Sequence, residues 1–445
     1  MGGQWGWRRG APAIVALCLA AVSSPAPGQT VGAQVVDALR ASPRARVFVM
    51  LREPTAPATS LGERASEVSE IRRGVLSQFT PEEFRLTHQF VTISAVAGDV
   101  SLEGLAKLAA DPDVVRVDLD VPVYAALAES VSLIRADQVH TKGVTGRGIS
   151  VAVIDTGIDS NHPDFKNRLA AEQCFCANAD GSGCCPNAST QQSGAGAARD
   201  ENGHGTNVAG VIASGGSSGA VGVAPDASLV IVRVLDKQGA ATSTAQIMQG
   251  LDWVASAHPE VKVINLSLAT ATLFSGTCDS AQSFTQGFAQ SINGLRSRGV
   301  LTVVSSGNNA SSSQIAAPAC VASAVAVGAV YDGNVGSVSF GCSDPTTAAD
   351  RVTCFSNASS AVDLLAPGGA ITASGIGGGR STFFGTSQAA PHVAGAAALL
   401  LSAKGGLSPD QIEQALKNSG ASVSDSRNGM SFRRIDVQAA LAAAP

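Results

Sequence analysis

Aromatic side chains are scarce in this chain, at 4% of residues, and charged ones supply only 15%. So little charge beside 45% hydrophobic residues excludes an intrinsically disordered chain, which needs the opposite balance. No long basic run occurs and the formal net charge is −5, which leaves nothing to hold nucleic acid or an anionic membrane surface. Beyond the N-terminus no segment resembles a membrane helix, and there is neither an internal repeat nor a low-complexity domain. What remains is apolar and rich in glycine, with 48 among 445 residues. That mix suits a compact, loop-rich α/β enzyme of one large domain with extensions, or of two or three domains.

Residues 1–28 read as an export signal. Arg8 and Arg9 form a short basic region, and Ala11 to Val22 is apolar but too short to span a bilayer. Cleavage is expected near Ala26 or Gly28. A lipid anchor on Cys18 would want a small residue before it, and Leu17 stands there. The expected location is outside the cell, or the periplasm of a Gram-negative one, with no membrane anchor. Loss of the leader leaves eight cysteines: Cys174, Cys176, Cys184, Cys185, Cys278, Cys320, Cys342 and Cys354. An even number in an exported chain points to disulfides. Cys342–Cys354 and Cys278–Cys320 are expected pairs. The first four cysteines crowd into what reads as one Gly/Asn/Ser-rich loop. Four thiolates there could also hold zinc, although the spacing is unusual for it.

Residues 29–127 carry their own pattern. Val47 to Leu51 reads as a strand, Val68 to Phe79 as a helix and Phe90 to Ala97 as a second strand. A helix through Leu102, Leu105 and Leu108 and a strand over Val114 to Leu119 follow, giving a small α+β module. From Ala128 to Pro445 short apolar runs alternate with helical stretches. Expected strands are Ser150–Ile154, Ser228–Val234, Val261–Leu266, Val300–Ser305 and Ala324–Val330. Helices are expected over Gly205–Ala213, Thr244–Ala257 and Ser280–Arg298. Strands apolar throughout, interleaved with helices, imply a mostly parallel sheet covered on both faces.

Three glycine-flanked motifs bear chemistry. Val151 to Asp159 is a buried strand that ends on Asp155 and turns at Gly157. Gly203-His204-Gly205 opens a helix. Phe384-Gly385-Thr386-Ser387-Gln388 runs into an apolar helix. Taken singly, Asp155 could be a cap, His204 structural and Ser387 an N-cap. Together they supply what a serine hydroxyl needs to act as a nucleophile: an imidazole to take its proton and a carboxylate to hold the imidazole's tautomer. Esterases built on Gly-x-Ser-x-Gly use the order Ser, acid, His, whereas here the order is Asp, His, Ser.

The three motifs resemble, nearly residue for residue, the signature blocks of the subtilisin-like (subtilase) family, and the resemblance covers Ala128 to the C-terminus. It implies an α/β three-layer fold with a mostly parallel central sheet and a secreted serine endopeptidase acting on polypeptides. In that reading Asp155 orients, His204 is base then acid, and Ser387 is the nucleophile working through an acyl-enzyme. The resemblance makes Asn308, in Ser306-Gly307-Asn308, an oxyanion donor. It puts substrate main chain against Ser267, Leu268 and Ala269 on one side and Gly239 and Ala240 on the other, with Gly307 nearby. The 29–127 module resembles the family's propeptide, a ferredoxin-like inhibitor and folding aid, so an autoprocessed zymogen cut near Leu127–Ala128 is expected. A monomer is expected, with no cofactor for catalysis.

Departures from the family pattern are Ala269 where Gly is usual, Gln388 where Met is common, and Asn207 where His is frequent. Asn207 is expected to bear on packing, and His392 to be structural. Asp164 matches a position that often ligates calcium as a structural ion. Its partner loop, Ser214 to Ala220, lacks the usual Asn, though backbone carbonyls could serve. Asn187, Asn309 and Asn357 stand in glycosylation sequons, which matter only in a eukaryotic secretory route.

Overall fold

The structure, a computed structural model, describes residues 30–54, 61–91, 93–120, 127–178, 180–219 and 221–445. The expected leader and residues 121–126 lie outside the described residues. The chain forms two compact units, Met1–Val123 and Tyr124–Pro445.

The first unit is built on Ala45–Leu51, whose alternate residues Val47, Val49 and Leu51 point into a small apolar core. Strands Phe84–Gln89, Ala95–Val100 and Val114–Leu119 complete an antiparallel set with the order Val114–Leu119, Ala45–Leu51, Ala95–Val100, Phe84–Gln89. With helices Leu61–Leu76 and Leu102–Leu108 this is the β-α-β-β-α-β arrangement of ferredoxin-like units. A short strand, Thr30–Val31, and a helix, Ala33–Ala41, precede it. The expected single strand Phe90–Ala97 is corrected to two strands, one ending at Gln89 and one beginning at Ala95. Phe84–Gln89 is an edge strand, mostly polar and exposed beyond Phe84, so it shows no apolar alternation. Val91 and Ile93, between the two strands, are exposed, and the sequence there has neither Gly nor Pro to mark a break.

The second unit is a ten-stranded sheet between helices. Its strands are β1 (Ser150–Asp155), β2 (Leu169–Phe175), β3 (Gln191–Ser193), β4 (Ser228–Arg233) and β5 (Val261–Leu266). The rest are β6 (Leu301–Ser305), β7 (Val325–Tyr331), β8 (Leu364–Gly369), β9 (Ala421–Ser424) and β10 (Ser431–Arg434). They lie in the order β9-β10-β8-β7-β6-β5-β1-β4-β2-β3, and only the outermost pairs are antiparallel. Period-two alternation puts Val151 and Val153 of β1 on one face, with helices α1 (His204–Ala213) and α4 (Thr386–Ala403). It puts Ala152 and Ile154 on the other, with α2 (Thr244–Ala257) and α3 (Ser283–Ser297). Both faces are therefore apolar, as the sequence predicts. Strand β8 escapes the sequence reading because Leu-Leu-Ala-Pro-Gly-Gly looks like a breaker, yet Pro367 pairs in register with Val330. Among the described residues no helix is long and apolar enough to cross a membrane.

Four disulfides close the second unit. Cys278–Cys320 and Cys342–Cys354 are the expected pairs. In the crowded segment Cys174 bonds Cys185 and Cys176 bonds Cys184, so all four sulfurs are consumed and none is left for zinc. Cys174 belongs to β2 rather than to a loop. Strands β6, β5 and β1 are adjacent and parallel, so the loops leaving their carboxyl ends converge, the place where open α/β sheets bind ligands.

Candidate active site

Strand β1 delivers Asp155, fully buried, to that edge. Its Oδ1 accepts from His204 Nδ1 at 2.7 Å and from the Thr156 N–H at 2.7 Å. Oδ2 is buried without a hydrogen-bond partner among the described residues. Because Nδ1–H points at the carboxylate, the imidazole keeps the lone pair of Nε2 free to take a proton. Burial by itself lowers the His204 pKa. The charge of Asp155, its hydrogen bond and the more distant Asp200 outweigh burial and hold the imidazole above its ordinary 6.5. Phe383 meets the ring edge to face at 5.7 Å. Close approach of β1 and α1 requires glycine: a Cβ on Gly205 would lie 2.3 Å from the Gly157 carbonyl oxygen.

Sequence reasoning missed Asp200, which sets the start of α1. This buried carboxylate accepts from the N–H groups of Asn202, Gly203 and Thr206 and from the Thr156 and Thr206 hydroxyls. Burial would raise its pKa, but those donors, led by the Gly203 N–H, hold it below the usual range. An acidic residue shortly before a helix start is the signal that could have found it.

Ser387 sits in the first turn of α4, 9% exposed. Pro391, one turn on, has no N–H to bond the Ser387 carbonyl. That carbonyl accepts instead from Ser267 Oγ at 2.6 Å, while Ser387 Oγ donates to the Ser267 carbonyl at 3.2 Å. Asn265 Nδ2 donates to Ser267 Oγ at 2.9 Å, so the end of β5 is tied to the start of α4.

Asn308 follows β6. Its Oδ1 accepts from the Thr386 N–H and from Thr386 Oγ1, both at 2.9 Å, so its Nδ2 is the end left to bind something else. Thr386 Oγ1 also accepts from the Gly307 N–H at 3.1 Å. A Cβ placed on Gly385 would lie 3.2 Å from Asn308 Nδ2 and 3.4 Å from the Ser387 N. Glycine at 385 therefore keeps open a point within reach of two donors. Thr386 and Gly385 stand beside the serine in the sequence, but their service to Asn308 appears only in three dimensions.

His204, Asn308 and Ser387 line one groove of about 770 Å³. Ser267, Leu268, Ala269, Gly239, Ala240 and Gly307 line it too. The catalytic, oxyanion and substrate-binding residues named from the sequence thus line this groove, with Asp155 behind His204, whereas Asp164 and the eight cysteines do not line it. A profile described as the subtilase family (Peptidase_S8) matches residues 146–434. The chain belongs to the subtilase family. It is 36% identical over 354 residues to an alkaline protease of Alkalihalobacillus alcalophilus, covering 78% of this chain and 80% of that one. Subtilisin E of Bacillus subtilis (strain 168) is 34% identical over 328 residues, covering 72% and 73%. A solved protease structure from Pseudoalteromonas arctica PAMC 21717 matches with TM-score 0.55 and 29% identity, over 69% of this chain and 93% of that one. Like the subtilases it resembles, this chain is a serine endopeptidase.

Two of this subtilase's three departures from the family pattern, Gln388 and Asn207, meet each other. Gln388 Nε2 donates to Asn207 Oδ1 at 3.3 Å, and Asn207 Nδ2 donates to the Ser381 carbonyl at 2.8 Å. His392 is buried; its Nδ1–H donates to the Gln388 carbonyl at 2.7 Å and Nε2 lies 2.9 Å from Ser130 Oγ. Burial pushes its pKa down to about 4. Asp164, away from the groove, has both oxygens occupied by donors: the Ser218 N–H and hydroxyl and the Ser374 hydroxyl at 2.7 Å. Asn357 is buried, and its Oδ1 accepts from the N–H groups of Asn309 and Ser311, so this sequon is not at the surface.

Proposed function

We propose that the chain is a secreted serine endopeptidase, made as a zymogen, that cuts proteins through Asp155, His204 and Ser387. The observation that carries this reading is the Asp155–His204 hydrogen bond, which leaves Nε2 as a base in the groove that Ser387 also lines. Ser387 Oγ attacks the scissile carbonyl as its proton passes to His204 Nε2. The oxyanion takes hydrogen bonds from Asn308 Nδ2 and the Ser387 N–H, with the α4 N-terminus behind them. The C–N bond breaks as His204 returns the proton to the leaving amine. Water, deprotonated by His204, then hydrolyses the acyl-enzyme. Extended substrate backbone adds as a strand between 267–269 and 239–240. The Ala269 methyl narrows the pocket beside it.

The first unit serves as propeptide, an intramolecular inhibitor and folding aid, supported by its size, its place before the protease and its ferredoxin-like order. The expected cut, Leu127–Ala128, falls at the first bond of helix Leu127–Leu133. Residues 1–28 direct export, which the four disulfides support. The donor set at Asp164 does not suit calcium, because serine hydrogens already fill the carboxylate and a cation needs several oxygen ligands. Ser218 and Ser374 take the role an ion would have in pinning this loop.

The test is hydrolysis of casein and of a peptide anilide near pH 8 by the wild type and by Ser387→Ala, with masses of both chains. Turnover by the wild type alone, with a mass fitting residues 128–445, is expected. Equal turnover by both chains would remove Ser387 from the mechanism. Two inert, full-length chains would sink autoprocessing.

A further inference from the structure

Two nested disulfides close the segment after β2, Cys174–Cys185 at its base and Cys176–Cys184 nearer its tip. The backbone there doubles back, with the Cys184 N–H donating to the Cys176 carbonyl at 3.0 Å and Ala177 bridged to Gly183. The Ala177 carbonyl, beside the tip bridge, points away from this hairpin. It accepts from Gln246 Nε2 at 3.3 Å and lies 3.0 Å from Thr242 Oγ1. Gln246 is buried in the first turn of α2. Its Oε1 lies 3.1 Å from Thr242 Oγ1 and accepts from the Ser243 N–H at 3.1 Å, closing a reciprocal cap on the helix. A continuous path therefore runs from the Cys176–Cys184 bridge to residues 238–243, one wall of the groove. The wall's other holds are the packing of Ala241 against the core and the bond from Asn202 Nδ2 to the Lys237 carbonyl at 3.1 Å, one at each side of its tip. Gln238, Gly239 and Ala240 are exposed, and their local bonds go to the Asp236 turn.

We infer that the Cys176–Cys184 bridge positions the 238–243 wall to receive an extended polypeptide, and so sets how well long substrates bind relative to short ones. This rests on the reading of the groove as the peptide-binding site. A wall held in place before binding spares the substrate the entropy of ordering it. A small ester that engages only Ser387 and the oxyanion donors gains nothing from that wall. Neither cysteine touches the reacting groups, so the bridge acts through substrate binding alone.

The test compares the full chain with Cys176→Ser/Cys184→Ser, which keeps Cys174–Cys185. Two substrates are used: an internally quenched octapeptide and a single-residue nitrophenyl ester. KM for the octapeptide rises about threefold to tenfold in the variant, with kcat and the ester kinetics unchanged. An unchanged octapeptide KM, or equal losses on both substrates, overturns the inference. If the double variant does not fold, Gln246→Met retains both bridges while losing the amide's bond to the Ala177 carbonyl and the helix cap, which leaves Thr242 as the contact to Ala177. It must then give the same selective rise, and any other pattern overturns the inference. A wild type inert toward both substrates overturns the reading of the groove itself. An active wild type with unselective variants overturns only the role of the bridge.

Discussion

Asn308 holds its carbonyl oxygen against two Thr386 donors, so only its Nδ2 can meet the groove. Loss of the matching donor in subtilisin lowers kcat by about 10²–10³. Asn308→Ala is expected to lose kcat on that scale with KM little changed, because the donor meets charge that develops only in the transition state. Steady-state kinetics on a peptide anilide checks this, and a rise in KM at constant kcat would contradict it. His204 supports a second prediction. The Asp155 charge holds the imidazole above 6.5, and only the neutral ring can take the serine proton. The acid limb of kcat/KM should therefore have its midpoint above 6.5, measured across about pH 5 to 9. A midpoint below 6.5 would mean that desolvation outweighs the carboxylate.

At the scale of elements, two buried groups titrate in the same window with opposite signs. His392 joins α4 to Ser130, with its pKa lowered by burial to about 4. The unfolded chain takes up that proton first, so the stability is present above 6.5 and is lost as pH falls towards 4. This loss is worth roughly 3 kcal/mol. Asp332, just past β7, is buried, and its Oδ2 has no hydrogen-bond partner among the described residues. Burial first, then the Glu129 charge, raises its pKa to about 7. Its contribution is present below 3.8 and disappears as pH rises through 7. Asp332→Asn should therefore stabilise the fold above pH 7, by up to roughly 4 kcal/mol, and change little near pH 4. In that variant the His392 slope between 6.5 and 4 is exposed. Thermal melts on an inactive Ser387→Ala background show both effects. Equal shifts by Asp332→Asn at both pH values would refute the assignment.

Over the whole molecule, four disulfides close the second unit. Bridges closing separations of 11, 8, 42 and 12 residues restrict the unfolded chain, each by about 2–4 kcal/mol where they act independently. At Asp164 serine donors occupy both carboxylate oxygens. A chelator should leave Tm unchanged, whereas a thiol reductant should lower it by several degrees. A Tm that falls on chelation and recovers with calcium would show that the serine network yields to an ion.

The sequence by itself determined the elements whose signal is local. Strands β1, β4, β5, β6 and β7 are apolar on both faces, and glycines flank each reactive residue. Asp155, His204 and Ser387 could be proposed from three such motifs taken together, and Asn308 from the family resemblance they carry. The even cysteine count pointed to disulfides, while which cysteines pair was decided by the fold. Only the tertiary structure decided the partners that hold these residues. Thr386 clamps Asn308 across 78 residues, and Ser267 meets Ser387 across 120. The pairing of Cys174 and Cys176 depended on β2, whose Glu172 and Gln173 disguise a buried strand as a polar loop. Such contacts leave no periodicity to read, because a polar side chain satisfied by a distant partner looks, in one dimension, like a solvated one.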